Sequence, residues 1–298
     1  MAFFLACRYA MWTCLCFPLG DAQRVRDLCD ASQYFFVIDD DFSDASRPKG
    51  REGEPAIFCE LMAVLRGESV AKDREYIQVL REVWSRLRTR MPLAQQTRYI
   101  EAVRDFLRGF AVEVEARRSG TCFNYVDYMG LRRDSVSGKP YFILAEYAMD
   151  IDLSEEFAAY PELDALNRTA LDQLILVNDL FSFRKEYFAG DSMNAISVLR
   201  RSGGLDLQGA VSVVCDTVND LTRQFVHDRD RLLSSDLGRR PHVRAYATAI
   251  GQIMAGNLHW SFLTPRYHGA GYTWNHVTTG TVLLDRERTT FLASSSGE

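Results

Sequence analysis

Residues 178–186 have the sequence Asn-Asp-Leu-Phe-Ser-Phe-Arg-Lys-Glu and directly follow the apolar run Leu-Ile-Leu-Val at 174–177. Spacings of four residues place Asn178, Ser182 and Glu186 on one face of a helix, over about 12 Å at roughly 1.5 Å per residue. An amide oxygen, a hydroxyl and a carboxylate are hard ligands that suit Mg²⁺. Polar residues at this spacing also occur on solvated helix faces. The preceding apolar run favours a buried position, where polar groups need partners.

A second acidic segment, Asp-Asp-Asp-Phe-Ser-Asp at 39–44, follows an apolar run that ends at Ile38. Carboxylates at the negative end of a helix dipole are unfavourable unless cations neutralise them, so the segment predicts cation binding. Two registers fit: one uses Asp39, Asp40 and Asp44, and the other uses Asp40, Asp41 and Asp44. We favour the first. Phe35 lies four residues before Asp39 and would share its side of the helix, so a Phe35 that faces a cavity brings Asp39 toward the mouth of that cavity and turns Asp41 away.

Basic and aromatic residues near the C-terminus form a third candidate segment. Pro265 ends a predicted helix, which would leave Arg266 and Tyr267 at its exit as donors to a phosphate oxygen. Earlier in the chain, Arg132 and Arg133 are adjacent, and the simplest interpretation of such a pair is that it lies on a solvent-exposed helix face. Arg132 stands 46 residues before Asn178.

Together these segments resemble the motifs of class I terpene synthases, most closely those of microbial and fungal sesquiterpene synthases. Residues 178–186 are similar to the second metal motif of that family, and residues 39–44 to its first aspartate-rich motif. Arg132 stands at the separation of the family's diphosphate-sensing arginine, and Arg266 with Tyr267 resembles its Arg-Tyr pair. The motifs occur in the family's order over 39–267, most of the chain.

The resemblance implies an all-α fold, a single class I terpenoid synthase helical bundle around a central active-site cavity. It also implies a lyase that uses three Mg²⁺ ions to ionise and cyclise a linear prenyl diphosphate, farnesyl diphosphate above all. The metal ligands would be Asp39, Asp40, Asp44, Asn178, Ser182 and Glu186. The diphosphate-binding catalytic residues would be Arg132, Lys185, Arg266 and Tyr267. The substrate pocket would include Phe35, Phe36 and Trp260, with Phe106, Phe110 and Tyr147 as further aromatic candidates.

Composition narrows the possible partners and the location. The net charge of −5, without a basic stripe, argues against nucleic acid as a partner. Seven cysteines without a CxxC pair favour reduced thiols and a cytoplasmic location. No apolar run is long enough for a membrane span. We expect one catalytic domain over 1–298, with 268–298 as a flexible tail or lid, in a monomer or homodimer.

Two alternative functions stay open at this stage. A prenyl chain-elongating synthase of the same fold would need a second aspartate-rich motif where this chain has Asn178, Ser182 and Glu186. A catalytically degenerate helical binding protein would not need its motifs intact. The family generally has more helices before its first acidic motif than residues 1–38 can form, so we expect an N-terminally short version with an exposed apolar face.

The roles also predict the effect of mutations. We expect Arg132→Ala and Asn178→Ala to abolish most turnover at a nearly unchanged melting temperature, because both residues are assigned to diphosphate and metal rather than to packing.

At the N-terminus, residues 3–16 are predicted to form one buried helix, ended by Pro18 and Gly20.

Overall fold

The computed structural model describes the backbone of residues 2–43, 54–70 and 74–274, and the side chains of 3–39, 57–70 and 74–274. These ranges contain helices and no β-strand, as the predicted all-α fold requires. The α-helices are α1 Ala2–Ala6, α2 Tyr9–Cys16, α3 Ala22–Ser43, α4 Glu54–Arg66, α5 Glu75–Arg88, α6 Leu93–Ser119, α7 Tyr125–Ser135, α8 Gly138–Met149, α9 Ser154–Ala159, α10 Pro161–Ala189, α11 Ala195–Gly203, α12 Leu207–Ser234, α13 Pro241–Leu263 and α14 Pro265–His268.

Helix α10 is the centre of the bundle and packs against helices α7, α8, α11, α12, α13 and α14. It begins at Pro161, whose fixed φ suits the first helical turn and whose missing N–H costs nothing there. It ends before Gly190, whose φ of 75° is a left-handed conformation that glycine adopts without a Cβ penalty. Residues 174–177 are buried, so the polar residues that follow begin inside the bundle.

The N-terminal segment forms two helices, and the prediction of a single helix over 3–16 is wrong. Arg8 adopts a left-handed conformation with φ of 58° and separates α1 from α2. At this break the Cys7 carbonyl accepts hydrogen bonds from Trp260 Nε1 at 3.0 Å and Thr264 Oγ1 at 2.9 Å. The break is therefore stabilised by residues that are remote in sequence.

Helix α2 then packs closely along α13. The backbones approach so tightly at Gly256 that a Cβ there would lie 2.4 Å from the Leu15 carbonyl oxygen. Only glycine permits this approach, which fixes the last turn of α2 against α13. Phe3, Leu5 and Met11, on the outer face of this segment, are exposed. Whether that face is one that relatives cover stays a prediction.

Among the helices that the structure describes, none combines the length and the apolar character that a membrane crossing would need.

Candidate active site

The two metal motifs predicted from the sequence meet at the short helix α14. Arg266 Nη2 donates to Asp39 Oδ2 at 2.9 Å, and Asn178 Nδ2 donates to Tyr267 Oη, also at 2.9 Å. Thr264 orients this helix, because its Oγ1 accepts from the Arg266 N–H at 3.2 Å. Two consecutive residues thus connect the end of α3 to α10. The contact on α10 is with the first residue of its polar row, which consists of Asn178, Ser182 and Glu186.

Arg132 lies in the last turn of α7 and points at the start of that row. Its Nη2 donates to Asn178 Oδ1 at 3.2 Å and to Asp179 Oδ1 at 3.4 Å, and its Nη1 donates to Glu113 Oε1 at 3.2 Å. Burial alone would lower the pKa of Arg132, but the nearby carboxylates, Glu113 first, raise it well above its ordinary value. The guanidinium is therefore charged and fixed on two carboxylates.

These contacts correct one expectation about Arg132. The side chain is buried and forms ion pairs with Glu113 and Asp179, so the premise that it contributes little to packing is wrong. Arg133 instead pairs with Asp172 through two hydrogen bonds of 2.7 and 2.9 Å, on the outer side of α7. The two arginines thus have different partners, and the diphosphate-binding role of Arg132 stays a prediction.

Asp179 has a different environment from its neighbour Asn178. Its Oδ2 accepts from Tyr128 Oη at 2.6 Å and from the backbone N–H of Ala195 at 2.8 Å, in addition to the contact with Arg132. Burial raises its pKa in spite of these donors. Its oxygens accept hydrogen bonds from α7 and α11 and so connect these helices to α10. Asp179 therefore supports the site from behind rather than facing it.

The polar row of α10 has the predicted arrangement. Ser182 is buried, and its Oγ has no hydrogen-bond partner among the described residues. Glu186 Oε2 accepts from Asn194 Nδ2 at 2.8 Å. Burial, with the nearby carboxylates of Asp191 and Asp179, raises the pKa of Glu186 to about 7. Lys185 precedes Glu186 on α10 and is half-buried.

Carboxylates outnumber guanidinium groups around this row. Arg117 donates to Glu113 at 3.0 Å and to Asp191 at 2.8 Å. The described cluster therefore places two arginines against four carboxylates, which are Glu113, Asp179, Glu186 and Asp191. A surplus of negative charge next to an unsatisfied buried hydroxyl fits a hard divalent cation. Arg132 Nε is likewise buried without a partner among the described residues, as suits a donor to phosphate oxygen.

The predicted aromatic residues divide into two groups. Phe36 and Trp260 lie together beside Arg266, with ring centroids 5.7 Å apart, and Trp260 is 5.5 Å from the Tyr267 ring. Phe35 packs instead against Phe106 on α6, with a centroid separation of 6.3 Å.

Tyr147 belongs to neither group. Its hydroxyl donates to Asp27, which lies twelve residues before Asp39 on α3 and thus about 18 Å from it along the helix. Its candidacy as a pocket residue at this site is wrong.

Some predicted residues fall outside what the structure describes. The side chains of Asp40 and Asp41 and the whole of Asp44 are in this group, so the register of the first motif stays a prediction. Sequence reasoning missed Tyr9 and Glu113, which contact the predicted arginines, and it gave no separate role to Asp179, although the second motif contains it. No local pattern signalled Tyr9 or Glu113, because each becomes a partner only through packing between helices.

Comparisons with known proteins identify the family. The model of terpene synthase family 2, C-terminal metal binding, matches residues 30–224. Sesquiterpene synthase 1 of Postia placenta is 31% identical over 258 residues, which cover 86% of this chain and 75% of that protein. The chain belongs to this terpene synthase family, and it is an enzyme.

Solved structures show the same fold at lower identity. The crystal structure of a-eudesmol synthase superposes with a TM-score of 0.77 at 23% identity, over 87% of this chain and 85% of that one. The linalool/nerolidol synthase from Streptomyces clavuligerus, solved with 2-fluorogeranyl diphosphate, gives a TM-score of 0.72 at 24% identity, over 85% and 90% of the two chains. The predicted class I terpenoid synthase bundle is thereby confirmed.

Proposed function

We propose that this terpene synthase ionises farnesyl diphosphate and cyclises it to a sesquiterpene, with release of diphosphate. The observation that carries the proposal is that Arg266 and Tyr267 join Asp39 of the first motif to Asn178 of the second. Cation ligands and phosphate donors are thereby concentrated on one side of α10. The relatives named sesquiterpene synthases support the fifteen-carbon substrate.

The proposed metal ligands are the oxygen groups of the two motifs. Ser182, with its unpartnered hydroxyl, and Glu186 and Asn178 on the same helix face would hold Mg²⁺ on one side. Asp39 would hold it on the other side, together with Asp40 and Asp44. Three Mg²⁺ ions are the proposed complement. When bound, they neutralise the diphosphate and stabilise it as a leaving group.

Fixed donors of the chain complete the diphosphate site. Arg132, Lys185, Arg266 and Tyr267 would bind its oxygens. When the allylic C–O bond breaks, both electrons go to the bridging oxygen, and donors already in place stabilise the developing charge without reorganising. Arg132 and Arg266 are paired with carboxylates, which keep both guanidinium groups charged and oriented.

The carbocation formed in this step must be kept from water. Phe35, Phe36 and Trp260 would line the apolar side of the pocket, where a ring face stabilises positive charge by about 2 kcal/mol when desolvated. Trp260 is fully buried and its Nε1 donates a hydrogen bond to Cys7 O, so its ring has a fixed orientation.

Three expectations from the sequence stay predictions. They are a single catalytic domain over 1–298, a tail or lid at 268–298 and a cytoplasmic location.

The test is a direct assay. Purified protein is incubated with Mg²⁺ and, separately, with the C10, C15 and C20 diphosphates, and the volatile products are analysed. We expect cyclic hydrocarbons or alcohols from the C15 substrate, none after chelation by EDTA, and recovery on adding Mg²⁺. Products from the C10 diphosphate alone would move the assignment to that substrate.

The chain-elongating alternative is tested in the same assay. Isopentenyl diphosphate is added beside each allylic substrate, and longer diphosphates are sought after dephosphorylation. Their formation would favour elongation. We expect none, because Asn178, Ser182 and Glu186 stand where an elongating enzyme would need aspartates.

A further inference from the structure

The N-terminal helix α2 contributes a residue to the surroundings of Arg266 that no motif indicates. Tyr9, the first residue of α2, accepts a hydrogen bond from Arg266 Nη1 at 2.9 Å. The other guanidinium nitrogen, Nη2, donates to Asp39. Two groups from different helices therefore fix the two ends of one guanidinium.

The ring of Tyr9 also restricts the guanidinium. Tyr9 is stacked on Phe36, with centroids 4.2 Å apart and an interplanar angle of 21°. The Arg266 guanidinium carbon lies 5.7 Å from the Tyr9 ring centroid and 5.4 Å from that of Phe36. Both rings are thus within cation-π distance of the same cation. Tyr9 and Arg266 are both buried, so solvent does not substitute for these contacts.

The position of Tyr9 is itself fixed by the end of α13. The carbonyl oxygens of Cys7 and Arg8 accept from Trp260 Nε1 at 3.0 and 3.2 Å, and that of Cys7 also accepts from Thr264 Oγ1. The left-handed conformation of Arg8 then directs the chain into α2. Thr264 also accepts from the N–H of Arg266, so one residue fixes the backbone before Tyr9 and the backbone of Arg266.

We propose that Tyr9 is a positioning residue for the reaction: its hydroxyl and ring hold Arg266 in the orientation that binds the diphosphate of the substrate. The proposal builds on the proposed function of the same site. Tyr9 acts through Arg266, and its loss weakens diphosphate binding without removing a charge from the site.

The experiment is a double-mutant cycle on Tyr9 and Arg266. The four proteins are wild type, Tyr9→Phe, Arg266→Ala and the double variant, and the probe is inorganic pyrophosphate with saturating Mg²⁺, measured by calorimetry. We expect Tyr9→Phe to raise the Kd about ten-fold in the wild-type background, the size of one hydrogen bond to a charged group. In the Arg266→Ala background it should change the Kd less than about two-fold, because residues that act through each other are not additive.

A control and a second readout separate positioning from a general loss of structure. Tyr246→Phe removes another buried hydroxyl, one that contacts Asn167 away from the site. It should leave the pyrophosphate Kd unchanged. In turnover, Tyr9→Phe should raise KM for the prenyl diphosphate about ten-fold, with a melting temperature close to that of Tyr246→Phe.

Two results would overturn the proposal: a Tyr9→Phe protein that binds pyrophosphate like wild type, or an equal loss in both backgrounds of the cycle. If Arg266→Ala does not fold, Arg266→Lys replaces it, since it keeps the charge but not the forked donors. A wild type without turnover would contradict the proposed function alone, because the pyrophosphate cycle still measures the effect of Tyr9.

Discussion

Asp39 and Arg266 are separated by 227 residues of sequence, yet Oδ2 of one and Nη2 of the other are 2.9 Å apart. The contact joins α3 to α14 beside the candidate site. It also gives the acidic C-terminus of α3 a cation, which the helix dipole requires. The contact has a measurable consequence for the first acidic motif.

The first prediction concerns the register of the acidic motif. Asp39→Asn should lower kcat/KM about 100-fold or more, because it weakens a metal ligand that also orients Arg266. Asp41→Asn should lower kcat/KM less than about ten-fold, since the favoured register does not use Asp41 as a metal ligand. Both are measured as steady-state kinetics at several Mg²⁺ concentrations. The reverse order would favour the register with Asp40, Asp41 and Asp44.

The second prediction separates Arg132 from Arg133. Arg132→Ala should abolish turnover and also lower the free energy of unfolding by about 3 kcal/mol, because buried Asp179 loses its cation and buried Glu113 keeps only Arg117. Arg133→Ala breaks a pair with Asp172 that is partly exposed, and should cost about 1 kcal/mol or less with activity retained. Urea unfolding measures both. An Arg132→Ala protein as stable as wild type would show that these ion pairs contribute no net stability.

Asn178→Ala tests the same contacts with a smaller expected effect on stability. It removes the acceptor of Arg132 and the donor to Tyr267 but leaves no carboxylate unpaired. Turnover should fall as far as in Arg132→Ala, at a smaller loss of stability.

The third prediction concerns Ser182. Because its hydroxyl is buried and has no partner among the described residues, Ser182→Ala should leave the melting temperature unchanged or slightly raised. The Mg²⁺ concentration for half-maximal activity should rise about ten-fold, as expected when a metal ligand is lost. Ser202→Ala is the matched control, since its hydroxyl donates to the Val198 carbonyl on α11. Equal Mg²⁺ dependence in both variants would remove Ser182 from the ligand set.

The fourth prediction concerns pH and a carboxylate outside the site. Burial alone would raise the pKa of Glu156, but hydrogen bonds from His242 at 2.8 Å and Arg240 at 2.7 Å lower it overall. A lowered folded-state pKa means that the stabilisation is present above the unfolded pKa of about 4.3 and is lost as pH falls through the folded value.

The test compares melting temperatures of wild type and Glu156→Gln at pH 6 and below pH 4. The difference should be largest at pH 6 and shrink in acid. Glu155→Gln, at an exposed neighbouring position, should show little difference at either pH. A gap between wild type and Glu156→Gln that grows in acid would contradict the assignment.

Part of the candidate site could be predicted from sequence because its polar residues recur at helical spacing. Asn178, Ser182 and Glu186 follow one helix face, and Pro265 predicted the helix break that precedes Arg266 and Tyr267. The partners could not be predicted in this way. Glu113 lies in the C-terminal third of α6, and nothing in its sequence neighbourhood indicates Arg132; their contact depends on how α6 packs on α7.

The break at Arg8 was missed for a similar reason. Local sequence favours a continuous helix through residues 3–16, and the competing interactions come from Trp260 and Thr264 at the other end of the chain. Tertiary hydrogen bonds outweigh local propensity at that one position.

The same contacts bear on how the protein is made. Cys7 bonds to Trp260 and Thr264 across 253 and 257 residues of sequence. During synthesis the first helices leave the ribosome long before these partners exist, and such non-local contacts form late and slowly. The nascent chain therefore cannot complete the proposed diphosphate site until α14 has emerged, and we expect a chain released before Thr264 to lack it.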